Sequence, residues 1–528
     1  MSVQNHSMPY APDMMTLVVN TRCNQRCVYC PPMGEAYAGD SGEASLAEIW
    51  IAARAALNHG ITTFRVSGGE PLLHSQFDGI IRIMRLLREQ GATVHLNTNA
   101  VSLHRHLDEL RKGAVSSLRI SLDSTRPIKY QQITKTKVYS TVKDNVLAAR
   151  NAGIGVDLIM VLMRHNLDEV LSMVEFCIGN NLNLKISDLE PHDFDGQRFF
   201  EDQYVSPDKA TKLIEAHYPN HSKQMVAARA GIQMWDILIA NTRIRIKDTN
   251  GKKCFSELCR SQCAMYPCPE GIYSFLLKPT GKLTWCKRNE SIGIDVRGND
   301  PDKLIKTCSN SLQDVRRITV GSGLASAEAS VHLPFNFQGL QPSFGRNRLA
   351  SRKRTVPAKL NRPVCINEYS ERWPLAFQQE KVRLTHVFQS HDVRIEHIGS
   401  TAIPGMPAKP VIDIGIAVPS GSYIPSILAK LKQMGYFHVP ELKHSLPNRD
   451  FLWKGNQDHH SYHIFVMEGA SDDWRDLLTI RGLLLSQPEL ATEYATAKRE
   501  AAYICGNDIS TYVDIKQPYY QKLLSLAN

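Results

Sequence analysis

Three cysteines in one short stretch, Cys23, Cys27 and Cys30, are the first residues of the chain whose types and spacing could do chemistry. Three thiolates in one loop can converge on a single metal centre, and thiolates select zinc or an iron–sulfur cluster. A structural zinc site wants a fourth protein ligand, and no further cysteine follows nearby. A cubane cluster with three cysteine ligands would instead leave one iron open. The spacing alone leaves both metal centres as alternatives.

A glycine-rich loop, Ser67 to Pro71, follows the apolar run Ile61 to Val66. It therefore lies at the carboxyl end of a predicted strand, which is where α/β folds place ligands. Gly68 and Gly69 let the backbone approach a ligand closely, and Glu70 can accept hydrogen bonds from an ammonium group. Taken alone, the loop is explained equally well as an ordinary turn between a strand and a helix.

The cysteine triplet and the glycine loop together resemble the radical S-adenosylmethionine (SAM) superfamily. The resemblance implies that the three cysteines hold a [4Fe–4S] cluster whose open iron chelates SAM. It implies that Gly68, Gly69, Glu70 and Pro71 hold the amino group of SAM. Further SAM contacts are expected from Tyr29, Thr98, Asn99 and Ser121. Taken singly, the last three are explained equally well as turn or capping residues.

A second group of cysteines surrounds a predicted β-turn at Pro279 to Gly281. It resembles the twitch or SPASM module in the radical SAM branch that contains the GTP cyclase of molybdenum-cofactor synthesis. The resemblance implies an auxiliary [4Fe–4S] cluster held by Cys259, Cys263, Cys268 and Cys286, with Cys254 as a spare. Zinc is the alternative, because four thiolates suit it equally well.

One departure from that branch bears on the substrate. The GTP cyclase carries several arginines between its second and third auxiliary cysteines, whereas Pro269 to Lys278 contains none. A triphosphate needs several cationic or backbone donors, so GTP itself is not the expected substrate. A fourth cysteine ligand would also close the auxiliary cluster. The expected small-molecule substrate is another nucleotide or a sugar, and a peptide-modifying maturase is the alternative.

The elements that must position these motifs alternate between strand and helix. Strand-like runs fall near 62–66, 93–97, 117–121, 155–162 and 183–187, and helical patterns near 75–90, 102–112, 140–152 and 167–180. A capping-box pattern beginning at Ser45 opens one more helix, to about Asn58. With the strand before Cys23 this makes six βα units of an α/β fold. The prediction is a partial (β/α)6 radical SAM barrel over residues 1–245, followed by the auxiliary-cluster module at 246–308.

Residues 309–363 are rich in Ser, Gly, Pro and Arg. Within them, Leu340 to Pro363 carries seven Lys or Arg and no acid, against a net charge of +10 for the whole chain. We predict a solvated basic linker. A nucleic-acid-binding arm is the alternative.

The remaining residues, 364–528, contain three distinctive stretches, Arg394 to Gly405, Ala408 to Ile414 and His460 to Val466, and a later Tyr494-x3-Lys498 pattern. Together these resemble the GrpB-like family, which has the α+β nucleotidyltransferase fold. A glycine turn that could cradle phosphate, a lysine, an acid that could ligate Mg²⁺ and a histidine make up the predicted ligand site, Gly399, Ser400, Lys409, Asp413 and His463. Phosphoryl transfer usually uses two carboxylates, but the alternate position after Asp413 is Gly415. Binding of a nucleotide or phosphate group is therefore favoured for this segment, and a working transferase or a carrier-binding module is the alternative.

The whole chain of 528 residues is long enough for two or three domains. It has no run of eighteen apolar residues and no signal-like start, so we expect a cytoplasmic protein without a membrane partner. Its 12 cysteines then indicate metal ligands rather than disulfides.

The expected function is reductive cleavage of SAM to a 5′-deoxyadenosyl radical, with an external reductant such as flavodoxin or ferredoxin. An iron–sulfur or zinc regulator that binds nucleic acid is the rival class. The intact Glu70, Thr98 and Asn99 disfavour it, because a regulator needs no SAM site.

Overall fold

The computed structural model describes residues 12–31, 42–190, 196–226, 232, 234–247, 252–263, 266, 268, 271–287, 293–296, 305–306, 316–319, 364–456 and 459–527. The chain divides into two compact units, Met1–Phe335 and Asn336–Asn528.

Fourteen strands and nine α-helices are described in the first unit. The strands are β1 Met14–Val18, β2 Thr63–Ser67, β3 Thr93–Thr98, β4 Ser117–Ser121, β5 Gly155–Leu162, β6 Asn183–Asp188, β7 Ser222–Val226, β8 Met234–Ile239, β9 Thr242–Lys247, β10 Lys252–Phe255, β11 Phe275–Leu277, β12 Lys282–Thr284, β13 Ile294–Asp295 and β14 Arg316–Thr319. The helices are α1 Leu46–Asn58, α2 Phe77–Glu89, α3 Leu107–Glu109, α4 Pro127–Thr134, α5 Tyr139–Asn151, α6 Val170–Asn180, α7 Gly196–Gln203, α8 Pro207–His217 and α9 Glu257–Gln262.

Strands β1 to β6 lie side by side in chain order and are all parallel, with helices in the connections. This confirms the six predicted βα units. The sheet does not close on itself, because β1 also pairs with β11 and β6 also pairs with β9. The result is the open, partial (β/α)6 arrangement that the sequence predicts. One parallel strand extends it at each edge, β11 or β9, and antiparallel strands follow beyond it.

Two helical predictions had different outcomes. Helix α1 begins as predicted, because the Ser45 hydroxyl accepts from the Glu48 amide at 3.2 Å and the Glu48 carboxylate accepts from the Ser45 amide at 2.7 Å. The single helix predicted near 102–112 is wrong. That stretch folds into three short helical turns. The backbone leaves helical geometry at His106, with φ −122° and ψ 0°, and Gly113, with a φ of +88°, lies in the last of these turns.

The predicted basic linker lies largely outside the described residues. Four residues inside its predicted range, Arg316–Thr319, form β14 and pair with β10. They therefore belong to the first unit rather than to a linker.

The second unit has a five-stranded sheet with helices around it. Its elements are α10 Arg372–Val387, β15 Arg394–Ile398, β16 Ile412–Val418, α11 Ile424–Gln433, β17 Phe437–His438, β18 Asp450–Gly455, β19 His460–Glu468, α12 Asp472–Ser486, α13 Pro488–Cys505 and α14 Ile509–Ala527. The strand order is β15-β16-β19-β18-β17, with β16 and β19 the parallel pair. Buried Leu384, Ile414, Leu431 and Val466 belong to its main core. The unit has the predicted α+β class.

None of the helices in the described parts of the chain is both long enough and apolar enough to cross a membrane.

Candidate functional site

The loop that carries Cys23, Cys27 and Cys30 leaves the end of β1 and is anchored by α4. The amide of Arg26 donates to the carbonyl of Thr134 at 3.1 Å, and the amide of Val28 donates to the carbonyl of Ile133 at 3.0 Å. Both acceptors lie at the carboxyl end of α4, where carbonyl groups lack partners within the helix. The cysteine loop is thereby fixed to the barrel at a helix that the sequence patterns did not predict.

The three thiols of this loop lie close enough for their charges to interact. Cys23 and Cys27 are half-buried and Cys30 is exposed. Burial raises the pKa of Cys27 most, and the charges of Asp123, Cys30 and Cys23 raise it further. Burial also raises the pKa of Cys23. The structure therefore brings the predicted cluster ligands together.

The glycine loop packs directly on the backbone of the cysteine loop. The amide of Gly69 donates to the carbonyl of Asn20 at 2.9 Å, and the amide of Glu70 donates to the carbonyl of Arg22 at 2.7 Å. A Cβ at Gly68 would lie 2.5 Å from the Asn20 side-chain oxygen, and a Cβ at Gly69 would lie 2.4 Å from the Arg22 carbonyl. Both distances are far below van der Waals contact. The two glycines thus join one predicted motif to the other.

Glu70 is fully buried at this junction. Its carboxylate accepts from the Thr98 hydroxyl at 2.7 Å, the Asn99 amide at 2.7 Å and the Leu72 amide at 3.1 Å. Burial raises the pKa of Glu70 to about 7, against the opposing effect of these hydrogen bonds. The Asn99 side chain in turn donates to Cys23 Sγ at 3.7 Å. A carboxylate has about four acceptor directions, so these three bonds leave one for the predicted ammonium group.

Tyr29 and Ser121 were also predicted to contact SAM. The Tyr29 hydroxyl donates to Asp123 Oδ2 at 2.8 Å, and the amide of Val161 donates to Asp123 Oδ1 at 2.8 Å. Burial raises the pKa of Asp123 to about 6. Ser121 ends β4 and is half-buried. Tyr29 therefore contacts Asp123, which lies two residues after Ser121 at the end of β4.

The donor set of the cysteine loop fits a metal cluster better than a reactive thiol. Reactive cysteines have lowered pKa values, whereas those of Cys23 and Cys27 are raised. A bound metal replaces the thiol protons. In the described ranges no three His, Cys, Asp or Glu side chains already form a metal site. Three thiols suit an iron–sulfur cluster with one open iron, while structural zinc takes four ligands.

Below these motifs the strands carry cations that motif searching missed. Arg65 on β2, Arg119 on β4 and Lys185 on β6 occupy half-buried positions that alternate with fully buried apolar ones. Burial and the charge of Arg65 together lower the pKa of Arg119 to about 10. Burial lowers the pKa of Lys185 to about 7, with added effects of Lys247, Arg119 and Arg65. These side chains therefore form one cationic group, the lumen cations.

The same interactions show that the sheet is curved. Arg65 and Lys185 lie on strands four positions apart in the sheet order. In a flat sheet that separation would be about 19 Å, too far for a strong effect on a pKa. Their charges nevertheless interact, so this face is concave and gathers the side chains.

Nearby carboxylates are already paired with other cations. Asp157 accepts from Arg243 at 2.9 Å, and Asp236 accepts twice from Arg245, at 2.7 and 2.8 Å. Among the described residues, Arg119 and Lys185 form no ion pair. The concave face therefore keeps an excess of positive charge.

Of the auxiliary cysteines, Cys286 follows the strands β11 and β12, which extend the sheet beyond β1. Strands β11 and β12 form a hairpin with Gly281 at a φ of +77°, which confirms the predicted turn. The spare, Cys254, is fully buried on β10. Four half-buried thiols remain, Cys259, Cys263, Cys268 and Cys286. No metal site is preformed among them in the part of the chain that the structure describes, so the auxiliary cluster stays a prediction.

One buried cation accompanies this module. Lys253 on β10 is fully buried, and its ammonium group has no hydrogen-bond partner among the described residues. Burial lowers its pKa, while the charges of Cys268 and Asp188 raise it. Lys253 therefore places a further basic side chain close to Cys268.

In the second unit, Asp413 on β16 faces His463 on β19 in direct register. His463 Nδ1 lies 3.3 Å from an Asp413 carboxylate oxygen, and His463 Nε2 lies 3.0 Å from His460 Nδ1. A Cβ at Gly399 would lie 2.4 Å from the other Asp413 oxygen. Gly399 therefore lacks a side chain where any Cβ would collide with the Asp413 carboxylate. The predicted phosphate cradle is reduced to a three-residue turn that begins at Ser400.

The surroundings of Asp413 do not favour the predicted Mg²⁺. Burial opposes its charged form, yet His463, Lys409 and Lys516 together lower its pKa. A second carboxylate two residues along is sterically excluded, because a Cβ at Gly415 would lie 2.9 Å from the indole of Trp474. One carboxylate among several cations is a poor ligand set for magnesium.

Comparison with known families assigns both halves of the chain. Residues 17–177 match the Radical SAM superfamily, and residues 363–525 match the GrpB protein family. These matches imply SAM and a [4Fe–4S] cluster as the cofactors of the first domain.

Among curated relatives, the GTP 3′,8-cyclase of Sulfurovum sp. (strain NBC37-1) is 30% identical over 175 residues, 33% of this chain and 53% of that protein. The molybdenum cofactor biosynthesis protein 1 of Homo sapiens is 29% identical over 213 residues, 40% of this chain and 33% of that protein. The UPF0157 protein YqkA of Bacillus subtilis (strain 168) is 33% identical over 158 residues, 30% of this chain and 45% of that protein. The chain thus spans about half or less of these relatives.

Solved structures resemble the two halves separately. GrpB from Enterococcus faecalis has 25% identity and a TM-score of 0.28, and covers 31% of this chain and 100% of that one. SuiB from Streptococcus suis, bound to S-adenosylmethionine, has 15% identity and a TM-score of 0.40, and covers 52% of this chain and 60% of that one.

Proposed function

We propose that this chain, which joins a radical SAM domain to a GrpB domain, is a radical SAM enzyme that acts on a phosphorylated nucleotide or sugar. The observation that carries the substrate class is the excess of positive charge at Arg119 and Lys185 in the lumen beneath the SAM motifs. When bound, the cluster and SAM supply reductive cleavage to a 5′-deoxyadenosyl radical that abstracts hydrogen from carbon.

The protein's own contribution is to hold the cofactor motifs in one rigid junction. Cys23, Cys27 and Cys30 are the proposed ligands of the cluster. Glu70 is held by Thr98 and by the backbone of Asn99, whose side chain reaches Cys23. In this proposal the remaining acceptor direction of Glu70 receives the ammonium group of SAM, so cluster and SAM are oriented by one hydrogen-bonded chain.

The lumen cations support an anionic substrate. Buried positive charge is costly without a counter-charge, and the neighbouring Asp157 is already paired. Phosphate groups would supply that counter-charge, whereas a neutral peptide would not. GTP stays among the candidates, because several relatives are named GTP 3′,8-cyclases and the lumen provides cations that the segment before Lys278 lacks.

For the second domain we propose binding of a nucleotide or another phosphate-bearing ligand around Asp413, His463 and Lys409. The Asp413 carboxylate and the His463 imidazole, which lie 3.3 Å apart, support a ligand site there. The missing second carboxylate at Gly415 argues against metal-dependent phosphoryl transfer.

The first experiment tests SAM chemistry. Anaerobically reconstituted protein with dithionite should form 5′-deoxyadenosine from SAM. The triple change of Cys23, Cys27 and Cys30 to Ala should abolish this, while Cys177→Ala, a buried cysteine on α6, should not. Undiminished cleavage by the triple variant would refute the cluster assignment.

The second experiment tests the substrate class through the same reaction. The rate of 5′-deoxyadenosine formation is titrated with GTP, other nucleoside triphosphates, sugar phosphates and short peptides. Arg119→Met and Lys185→Met should raise the half-saturating concentration of the active phosphate compound roughly ten- to hundredfold, the scale of one charged hydrogen bond. The exposed residues Arg150 and Lys209 provide matched controls, also changed to Met. Stimulation by peptides alone would overturn the proposed substrate.

A further inference from the structure

Two helices of the second unit present the same pair of residues, tyrosine and lysine four positions apart. Tyr494 and Lys498 lie on α13, and Tyr512 and Lys516 lie on α14. Residues four apart share one helix face. Lys498 Nζ lies 5.7 Å from the Tyr494 ring centroid, and Lys516 Nζ lies 4.7 Å from the Tyr512 centroid and 5.7 Å from the Tyr494 centroid. The two pairs therefore face each other.

A third lysine joins this cluster from the segment before β16. Lys409 Nζ lies 5.3 Å from the Tyr512 centroid. The charges of Lys409 and Lys516 act on Asp413, and those of Lys516, Asp413 and Lys409 act on Lys498. Three lysine side chains are thus close enough to one carboxylate for their charges to interact with it, and His463 already contacts that carboxylate. The cluster therefore holds three basic side chains and a histidine around Asp413.

The cluster is partly open to ligands. Lys498 is only 1% exposed and donates to the carbonyl of Pro407. Lys409, Lys516 and Asp413 are only half-buried, so part of each residue remains exposed to solvent. Burial, and then the charge of Lys516, lowers the pKa of Lys498 to about 6. Concentrated cations in such a setting are stabilised by an incoming anion.

We propose that Lys409, Lys498 and Lys516 form a binding site for a polyphosphate chain, such as that of a nucleoside triphosphate, and that it works without a divalent cation. This inference rests on the phosphate-binding role proposed for the second domain and names its residues. Lysine ammonium groups bind phosphate as point charges from several directions. A magnesium ion would instead bring further positive charge close to three lysines and only one carboxylate.

The test uses the full-length protein with inorganic tripolyphosphate as the probe, in one series with EDTA and in a parallel series with added magnesium and no EDTA. Lysine acylation is followed site by site with mass spectrometry, which separates this cluster from the lumen cations of the first unit. Tripolyphosphate should protect Lys409 and Lys516, but not the exposed Lys432 on α11. The change Lys516→Met should weaken the protection of Lys409 roughly ten- to hundredfold in probe concentration, whereas Lys432→Met should leave it unchanged.

Lys409→Met serves as a second variant, read out by protection of Lys516, in case one variant folds poorly. An Arg119→Met variant should retain full protection, because its cation lies in the other unit. Protection that appears only with added magnesium would overturn the inference but leave the phosphate-binding role standing. Absence of protection at millimolar probe would overturn both.

Discussion

Gly69→Ala should uncouple the two SAM motifs with a single methyl group. The new Cβ would lie 2.4 Å from the carbonyl oxygen of Arg22 and 2.6 Å from that of Thr21. Ordinary contact requires about 3.5 Å, so the loops must separate by about 1 Å. That shift would stretch the bonds from Gly69 to Asn20 and from Glu70 to Arg22, now 2.9 and 2.7 Å, beyond hydrogen-bond length.

Two backbone hydrogen bonds at about 0.5–1.5 kcal/mol each give a loss of about 1–3 kcal/mol, which matches the usual cost of overpacking. The effect on catalysis should be larger, because a misplacement of about 1 Å can reduce rates about a hundredfold. We therefore expect 5′-deoxyadenosine formation to fall about a hundredfold while the protein remains folded by circular dichroism.

Gly179→Ala on α6 is the matched control, because a Cβ there meets no atom within 4 Å. It should retain full activity. Wild-type activity in Gly69→Ala would refute the view that direct packing of the glycine loop on the cysteine loop positions the cofactor.

Two further predictions concern the second unit. Because the folded-state pKa of Lys498 is about 6, below the ordinary 10.5, the wild type should gain stability as pH rises from about 6 to 10.5. Lys498→Met should remove that dependence and stabilise the unit by several kcal/mol at pH 7, at about 1.4 kcal/mol per pKa unit; hydrogen exchange of peptides from 488–505 measures this, and unchanged protection would contradict it. Gly415→Ala should cost about 1–3 kcal/mol, because its Cβ would lie 2.9 Å from the Trp474 indole; the same exchange assay on β16 peptides checks it, with no loss as the contrary result.

The six parallel strands β1 to β6 could be predicted because each is a short run with buried apolar residues that is followed by turn residues. The helices were less certain where local signals conflicted. Apolar residues at Leu103, Leu107 and Leu110 indicated one helix, but the backbone leaves helical geometry at His106 and the segment breaks into short turns. Helix α4 was missed because its eight residues bury only a few side chains and leave Ile128 exposed, too little for a clear period.

The candidate site likewise has one part that the sequence predicts and another that only the folded structure reveals. Cys23 to Cys30 and Gly68 to Pro71 are local motifs, so the sequence alone indicates their chemistry. Arg65, Arg119 and Lys185 are far apart in sequence, and only the curvature of the sheet brings their charges together. The sequence does contain one signal that could have identified these cations. Each cation occupies an alternate position within a buried strand, where an unpaired charge is expensive, and such a placement favours a role in binding over one in stability.

The same argument applies to the paired tyrosines and lysines of α13 and α14. A lone Tyr-x3-Lys pair predicts only two neighbours on one helix face. Its repetition at Tyr494 and Tyr512 has meaning once the helices are seen to face Asp413, because Lys498 is then buried beside Lys516. Packing alone would favour an apolar side chain at position 498, which would stabilise the unit. If the buried amine of Lys498 binds an anion, as proposed, Lys498→Met should exchange ligand affinity for stability.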